Sequence, residues 1–472
     1  MNGSKLLEMV KSFSPAEGRR FLDFLKSPFF NTNPTATKLF QKIWKQAPAF
    51  PPARLDRYLI FSQINPQYAP DDKEIAYQMS DLLRLAERFL GQVRYEAEKH
   101  LVEYHILDAC EERALEKHYR QQLKRLRRLP PTNLRRSEDH LHHQYQISGV
   151  EVRHLHRKQV RASDQNMQQL VDHLDEYYLV SKLRLTCELI NRQSILSDRF
   201  AIRQVDELLV YVKHHDQENK PAMMAYHQLL LLLTDQSHAA GFEKLRSVLT
   251  EHFGSFTIGE KRELFSYAQN YCIRQVRAGE ADYLKALFDL YKVSLQSDFW
   301  LEDGIFSPWK YKNMASVGLR VGEFEWVERF LEGYRPKLPL DFRENAWAYN
   351  MADLHYHQGR YEEALRGLMR VEFTDVFYSL DTRKMMLMIY LEQGAEEPLI
   401  SLVSSFKLYL RRNKLVAENT REAYLNFVNL VYAVQRAATR DVGAAELEAR
   451  IRETQPLVEE AWLLGQVRRV VG

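Results

Sequence analysis

The amino-acid sequence predicts an all-α protein in which a small helical domain over residues 1–95 and a long basic helical hairpin over 96–198 precede a helical-repeat α-solenoid over 199–472. Three observations support this fold class. The 472 residues include only 18 Gly and 16 Pro, well below the usual share of these residues. The long segments without them are rich in Leu, Glu, Lys, Arg, Gln and Ala, which favour helix. No segment alternates apolar and polar residues for long enough to predict a sheet.

The first 95 residues contain strong signals for helix starts. Ser14-Pro15-Ala16-Glu17 is a capping box with Pro at the first helical position, and Asn33-Pro34 repeats the device. The turn between these two helices carries Phe29 and Phe30, which we expect to fill a small core. The predicted helices of this domain cover residues 20–26, 37–46 and 54–63 and a longer segment after Pro70.

The middle of the chain predicts long helices with an unusual charge. Residues 97–129 contain neither Pro nor Gly, and Pro130-Pro131 must end that helix. Residues 117–161 hold 12 Lys or Arg against three acidic residues, together with six of the 16 histidines of the chain. Such a basic hairpin can follow phosphates through charge alone, or it can be a solvated tip that pairs with acidic parts of the protein.

The polyanion interpretation predicts an alternative function, that of a nucleic-acid- or ribosome-associated factor. Its candidate binding residues are Lys124, Arg125, Arg127, Arg128, Arg135, Arg136, Arg157 and Lys158.

No cofactor, metal or catalytic site is expected from the sequence. Glu151-x-x-His154 has the spacing used in di-iron bundles, but no second Glu-x-x-His occurs. Phosphate loops, dinucleotide fingerprints, nucleophile elbows and His-Glu-x-x-His motifs are also missing from the sequence. We therefore expect a non-enzymatic protein.

Paired helices recur from about residue 199 onward. Gly279, Gly322, Gly359 and Gly394 each follow one amphipathic segment and precede another, at steps of 43, 37 and 35 residues. Such units cannot bury their apolar faces alone, so they predict a stack of neighbours. Val327 and Ala364 occupy the positions where the second helix of a pair must approach the first closely.

The best-formed unit, around Gly359, resembles a tetratricopeptide repeat. Asn350, Gly359, Tyr361, Ala364 and Leu365 fall where that family has its signature. The resemblance implies that the first helix of each pair lines a concave face that binds a peptide or a helix of a partner protein. The groove residues implied in this way are Lys312, Asn313, Arg320, Tyr349, Asn350, Asp353, Tyr356, His357 and Lys384.

The pattern that binds a C-terminal carboxylate in that family is matched at only two of five positions. The chain offers Lys312 and Ser316, then Asn350, then Asp381 and Met385. We therefore do not expect the ligand of this groove to be a C-terminal carboxylate.

A wider resemblance covers nearly the whole chain. The chain is similar to a family of Bacteroidota proteins with degenerate tetratricopeptide-like repeats, which implies an all-helical repeat protein and no particular activity. The matching segments are residues 27–33, 178–192, 371–378, 390–394 and 406–414.

Composition predicts a cytoplasmic protein. The N-terminus lacks a long apolar run before a small-residue cleavage site, and the apolar run Leu229–Leu233 is far too short to span a bilayer. Three separated cysteines, Cys110, Cys187 and Cys272, form no ligand pair and fit reduced thiols. The net charge of +3 identifies no partner by itself. We expect a protein or peptide partner.

Overall fold

Helices dominate the part of the chain that the computed structural model describes, and an isolated bridge between Glu302 and Ile305 is the only β feature found there. The all-α prediction is therefore confirmed. The described residues are 1, 3–66, 71–128, 138–159, 165–195, 199–214, 220–234, 239–371, 376–413, 415–440 and 443–470.

The chain divides into two units. The first unit comprises Met1–Asn133 and Asp139–Tyr177, and the second comprises Leu134–Glu138 and Tyr178–Gly472. Of the segment 96–198, residues 96–133 and 139–177 belong to the first unit and residues 134–138 and 178–198 to the second. Up to the division, which falls inside α9, the helices are α1 Lys5–Lys11, α2 Pro15–Lys26, α3 Pro34–Trp44, α4 Arg57–Ile64, α5 Asp72–Ala97, α6 Lys99–Glu112, α7 Glu116–Arg128, α8 Glu138–Arg157 and α9 Gln165–Ile195.

The first helices of this unit begin at the capping signals in the sequence. The Ser14 side chain accepts from the Glu17 N–H, and the Glu17 side chain accepts from the Ser14 N–H. Asn33 caps α3 by accepting from the Thr35 N–H. Satisfying these otherwise unpaired donors stabilises a helix start by about 1 kcal/mol, so the boundaries follow local chemistry.

An aromatic core fills the space between α2, α3 and α5. The rings of Phe21 and Phe40 meet edge to face at 4.7 Å, and Phe30 stacks on Phe24 at 4.2 Å. The prediction for Phe29 was wrong, because its side chain is 84% exposed. The Asn31 amide explains the difference: it donates to backbone and side-chain oxygens on both sides of the turn, and the turn so held presents Phe29 outward.

The second unit continues as a succession of helices. They are α10 Val205–His214, α11 Pro221–Leu233, α12 Ala239–Glu251, α13 Ile258–Arg277, α14 Asp282–Ser294, α15 Pro308–Arg320, α16 Phe324–Tyr334, α17 Leu340–His357, α18 Tyr361–Leu368, α19 Val376–Glu392, α20 Glu396–Arg412, α21 Glu418–Arg440, α22 Ala444–Glu453 and α23 Glu460–Val470. Short 3₁₀ turns lie at Phe253–Ser255, Asp298–Trp300 and Arg335–Lys337.

Packing in this unit follows the order of the chain. Helix α11 packs on α12 and α13, α15 packs on α16 and α17, and α17 packs on α18 and α19. Helix α19 continues the pattern on α20 and α21, and α21 packs on α23. Helices α11, α15, α17 and α19 therefore each contact both the next helix and the helix after that.

The four glycines that mark the predicted pairs all adopt the left-handed conformation. At Gly359 the backbone has φ of 74°, its N–H donates to the Tyr356 carbonyl, and the next N–H, of Arg360, donates to the His355 carbonyl at 2.8 Å. This is the Schellman arrangement, in which a residue without Cβ ends the helix at little cost. The same pair of hydrogen bonds occurs at Gly279, Gly322 and Gly394.

A fifth turn of this kind joins α6 to α7 without glycine. Ala114 has φ of 56°, and the Leu115 N–H donates to the Cys110 carbonyl at 2.9 Å. Sequence inspection missed it because alanine gives no turn signal. The turn therefore places an L residue in a conformation that costs roughly 1–2 kcal/mol.

Small residues set the separation of the paired helices. Val327 and Ala364 are fully buried, as predicted. A Cβ added at Gly318 of α15 would lie 2.5 Å from Val327 Cγ2 of α16, which is far inside van der Waals contact. These contacts require a glycine at this crossing.

Candidate functional site

The last residues of four helices occupy the same position relative to the glycine turns. Helices α13, α15, α17 and α19 end at Arg277, Arg320, His357 and Glu392, each two residues before its glycine. We call these four residues the turn-end row. The first two members are exposed cations, whereas the last two belong to a polar network. The row therefore has two parts with different chemistry.

An open cleft lies beside Arg277 and Arg320, the first two members of the turn-end row. It has a volume of about 290 Å³ and lies between α13, α14 and α15. Its lining residues are Ile273, Val276, Arg277, Leu284, Leu287, Tyr291, Asn313, Ser316, Val317 and Arg320. No acidic residue is among them, and six of the ten are aliphatic or aromatic. We call this the α13–α15 cleft.

The arginines of the cleft are available for a ligand. Arg277 and Arg320 are both exposed, and neither side chain forms an ion pair or hydrogen bond with any residue that the structure describes. Glu323, the acidic residue that precedes α16, is already bound to Lys285 at 2.9 Å. Two cations therefore stand beside an apolar floor without a carboxylate to neutralise them.

The centre of the predicted groove is closed by its own side chains. Lys312 of α15 donates to Asp381 of α19, and Asp381 also accepts from the Tyr424 hydroxyl of α21 at 2.7 Å. Lys384 lies 3.8 Å from Asp381 and donates to Glu459. The two lysines therefore have partners within the chain.

This network shifts the pKa values of its members. Burial by itself would raise the pKa of Asp381, but Lys384 and Lys312 outweigh it and hold the pKa below its usual value. Burial would lower the pKa of Lys384, and the carboxylates of Glu459 and Asp381 raise it instead. Both side chains are charged at neutral pH and hold each other in place.

Two predicted groove residues lie in the core. Tyr349 is 3% exposed and its ring meets Tyr378 of α19 at 5.3 Å. Asn350 is fully buried, and its amide donates to the Ala346 carbonyl at 2.7 Å. Helix α17 packs on both α15 and α19, so side chains between these neighbours cannot face solvent. They do not line an exposed groove.

Asp353 and His357 form a pair on the same helix face. The His357 Nδ1 lies 3.0 Å from the Asp353 carbonyl oxygen and 3.3 Å from its Oδ1. Burial would lower the pKa of His357, but the hydrogen bond and the charge of Asp353 raise it. Two residues earlier in the sequence, burial and the charge of Arg360 lower the pKa of His355 and outweigh its backbone hydrogen bond to Glu363.

Glu392 accepts a set of donors at the other end of the row. Tyr356 donates to it at 2.6 Å and Trp462 at 2.7 Å, and Tyr361 and Gln466 also donate to it. The carboxylate is 7% exposed and sits beside a surface cleft of about 360 Å³. Since its lone pairs are occupied, this cluster fixes α23 against α17 and α19.

The predicted groove residues thus fall into three groups. Asn313 and Arg320 line the α13–α15 cleft, together with Arg277, which the sequence analysis did not select. Its position two residues before Gly279 repeats that of Arg320 before Gly322, and this register could have identified it. The buried pair is Tyr349 and Asn350, and the residues bound within the chain are Lys312, Asp353, Tyr356, His357 and Lys384.

Four of the six candidate cations that the structure describes in the basic hairpin are neutralised by carboxylates. Arg125 pairs with Glu103 at 2.7 Å, and Arg127 pairs with Glu151. Lys158 pairs with Glu116 at 2.6 Å. Four carboxylates neutralise the candidate cations. Three of them, Glu103, Glu111 and Glu116, precede residue 117, so the composition of residues 117–161 overstated the available charge.

A buried cluster lies at the centre of these ion pairs. Arg157 donates twice to Glu111, at 2.6 and 2.7 Å, and His154 Nδ1 lies 2.6 Å from the same carboxylate. The His154 ring stacks on Tyr119 at 3.8 Å. Burial would raise the pKa of Glu111, but the hydrogen bonds from Arg157 and His154 lower it. These contacts join α6, α7 and α8, so the cluster has a structural role.

Two cations of the predicted polyanion set remain available. Lys124 and Arg128 are exposed and form no ion pair with a described residue. Arg135 and Arg136 lie outside the described residues. The Glu151-x-x-His154 spacing brings no ligands together, because Glu151 pairs with Arg127 and His154 with Glu111. Over the described ranges, no group of three His, Cys, Asp or Glu side chains is placed to hold a metal ion.

Among the helices described, none is both long and apolar enough to cross a membrane. Comparison of the chain with known protein-family models, with curated protein sequences and with solved structures finds no match. Inference about function therefore rests on the residues of this chain.

Proposed function

We propose that the protein is a non-enzymatic scaffold whose second unit is a degenerate tetratricopeptide-like solenoid that binds a protein partner. Support for the repeat comes from the Schellman turns at four glycines and from the packing of α11, α15, α17 and α19, each on the next two helices of the chain. Repeats that contact only near neighbours build an extended surface. The proposed location is the cytoplasm.

One observation carries the binding proposal, namely the α13–α15 cleft. It combines an apolar floor with two exposed arginines that have no described partner. Concave sites with a mainly apolar lining and a few convergent polar groups are the usual form of binding sites. The remainder of the predicted groove is closed by Lys312, Lys384 and their carboxylate partners, so binding is assigned to the cleft.

Site-specific photo-cross-linking in the producing cells tests the proposal. A benzoylphenylalanine residue at position 313, inside the cleft, should cross-link to a defined protein. The same residue at position 408, where Leu408 is 47% exposed on α20, serves as the matched surface control. Cross-links of equal yield and identity at both positions, or none at position 313, would contradict the proposal.

A further inference from the structure

The chemistry of the α13–α15 cleft indicates which kind of partner segment it accepts. Its floor is formed by aliphatic side chains of α13 and α14 and by Tyr291, which is 5% exposed. Its volume of about 290 Å³ is near the lower end of the range of roughly 300–1,000 Å³ found for ligand sites. The cleft therefore has room for one or two side chains of a linear segment.

The rim of the cleft determines which charge a ligand must carry. Arg277 and Arg320 each end a helix that precedes a Schellman turn, so they occupy equivalent positions on α13 and α15. The carbonyl ends of these helices favour a cation, which stabilises both arginines before any ligand arrives. Guanidinium groups bind carboxylates through paired N–H donors, and none of the ten lining residues is a carboxylate.

Neutral polar groups complete the site. Asn313 is exposed and Ser316 half-buried on α15, between the apolar floor and Arg320. An amide and a hydroxyl can donate to and accept from a peptide backbone. The cleft thus offers separate contacts for an apolar side chain, a backbone and an anionic side chain.

We propose that the α13–α15 cleft binds a linear peptide segment of the partner in which an Asp or Glu lies close to a large apolar residue. The carboxylate binds Arg277 and Arg320, and the apolar side chain covers the floor. This assignment rests on the proposed scaffold function and names the class of ligand for it.

Selection from a displayed library of random 12-residue peptides on the immobilised full chain tests the assignment. We expect enrichment of peptides that combine an acidic with an aromatic or aliphatic residue. The double variant Arg277→Gln/Arg320→Gln should lose at least roughly tenfold in affinity for a selected peptide, since charge-assisted hydrogen bonds each contribute more than neutral ones. Arg277→Lys/Arg320→Lys should bind with intermediate affinity.

A matched control is the double variant Arg411→Gln/Arg412→Gln, which removes two exposed arginines from the last turn of α20. It should bind the selected peptide like the unmodified chain. Thermal unfolding of all three variants establishes that the cleft variant is folded.

Four outcomes would overturn the assignment. Selected peptides without acidic residues, or peptides whose affinity the cleft variant leaves unchanged, would refute this ligand class while leaving the scaffold function to the cross-linking result. Failure to enrich any peptide would also refute it. Binding of a fluorescent 12-nucleotide single-stranded RNA that depends on Arg277 and Arg320, with no peptide binding, would assign the cleft to phosphates instead.

Discussion

Lys312 of α15 forms an ion pair with Asp381 of α19, 69 residues further along the chain. The pair links two helices that are separated in sequence by α16, α17 and α18. The side chains are only 20% and 13% exposed, so little solvent screens them. The pair therefore holds α15 close to α19 and closes the centre of the predicted groove.

Loss of this ion pair should destabilise the protein. Asp381→Asn should lower the free energy of unfolding by about 2–3 kcal/mol, because it leaves Lys312 and Lys384 with reduced compensation. Chemical denaturation of the single variants and of Lys312→Gln/Asp381→Asn gives the coupling energy, which we expect at about 1–3 kcal/mol.

The exposed pair of Arg329 and Glu325 is the control for that cycle. Its atoms lie 4.0 Å apart and its side chains are 74% and 92% exposed. The same cycle should give less than about 0.5 kcal/mol there. Equal coupling in both cycles would show that the Lys312–Asp381 pair is not a special constraint.

Substitution at the turns should change stability in opposite directions. Gly359→Ala places a Cβ in the left-handed region and should cost about 1 kcal/mol. Ala114→Gly relieves the same strain and should stabilise the first unit by up to about 1 kcal/mol.

Gly91→Ala, at an exposed position inside α5 with nothing within 4 Å of the added Cβ, should stabilise the protein by about 0.5–1 kcal/mol. Urea unfolding of each variant measures these changes, and destabilisation by Ala114→Gly would contradict the assigned turn.

The two histidines at the end of α17 should titrate on opposite sides of the ordinary value of 6.5. The pKa of His357 is raised by Asp353 and that of His355 is lowered by burial. His357 therefore contributes stability that is present below pH 6.5 and is lost as the pH rises through its folded pKa. NMR titration of the two rings measures both values, and Asp353→Asn should remove the upward shift of His357 alone. A pKa of His357 below that of His355 in the unmodified chain would contradict the pairing.

Removal of charge from the basic hairpin should distinguish the cations that stabilise the fold through ion pairs from the cations that are available to a ligand. Arg125→Gln/Arg127→Gln should lower the free energy of unfolding by about 1–2 kcal/mol, since Glu103 and Glu151 are only 8% and 12% exposed and lose their arginine partners. Lys124→Gln/Arg128→Gln removes the same charge and should leave stability within about 0.5 kcal/mol. Thermal unfolding compares the variants, and equal effects would show that the observed pairs do not stabilise the unit.

Local signals in the sequence predicted the helices well. The capping box at Ser14–Glu17 and the glycines at 279, 322, 359 and 394 act through neighbouring backbone groups, so their effect can be inferred without tertiary structure. Ala114 forms the same turn without that signal, because the surrounding helices compensate the strain of a left-handed alanine.

Side-chain partners were harder to predict. The tetratricopeptide resemblance implies that Lys312 and Tyr349 line the same concave face, but it does not say how closely the neighbouring helices approach. The separation of α15, α17 and α19 decides that Lys312 reaches Asp381 and that Tyr349 is buried. Likewise, Glu103 and Glu111 neutralise arginines that lie far from them in sequence, so local charge density misrepresents the surface of the first unit.

The most direct test of the scaffold account is the ratio of dissociation constants for one acidic, apolar 12-residue peptide, measured by fluorescence anisotropy on the full chain. The account predicts that Arg277→Gln/Arg320→Gln weakens binding at least roughly tenfold, or about 1.4 kcal/mol, and that Arg411→Gln/Arg412→Gln changes it less than twofold. Equal dissociation constants for the two double variants would contradict it.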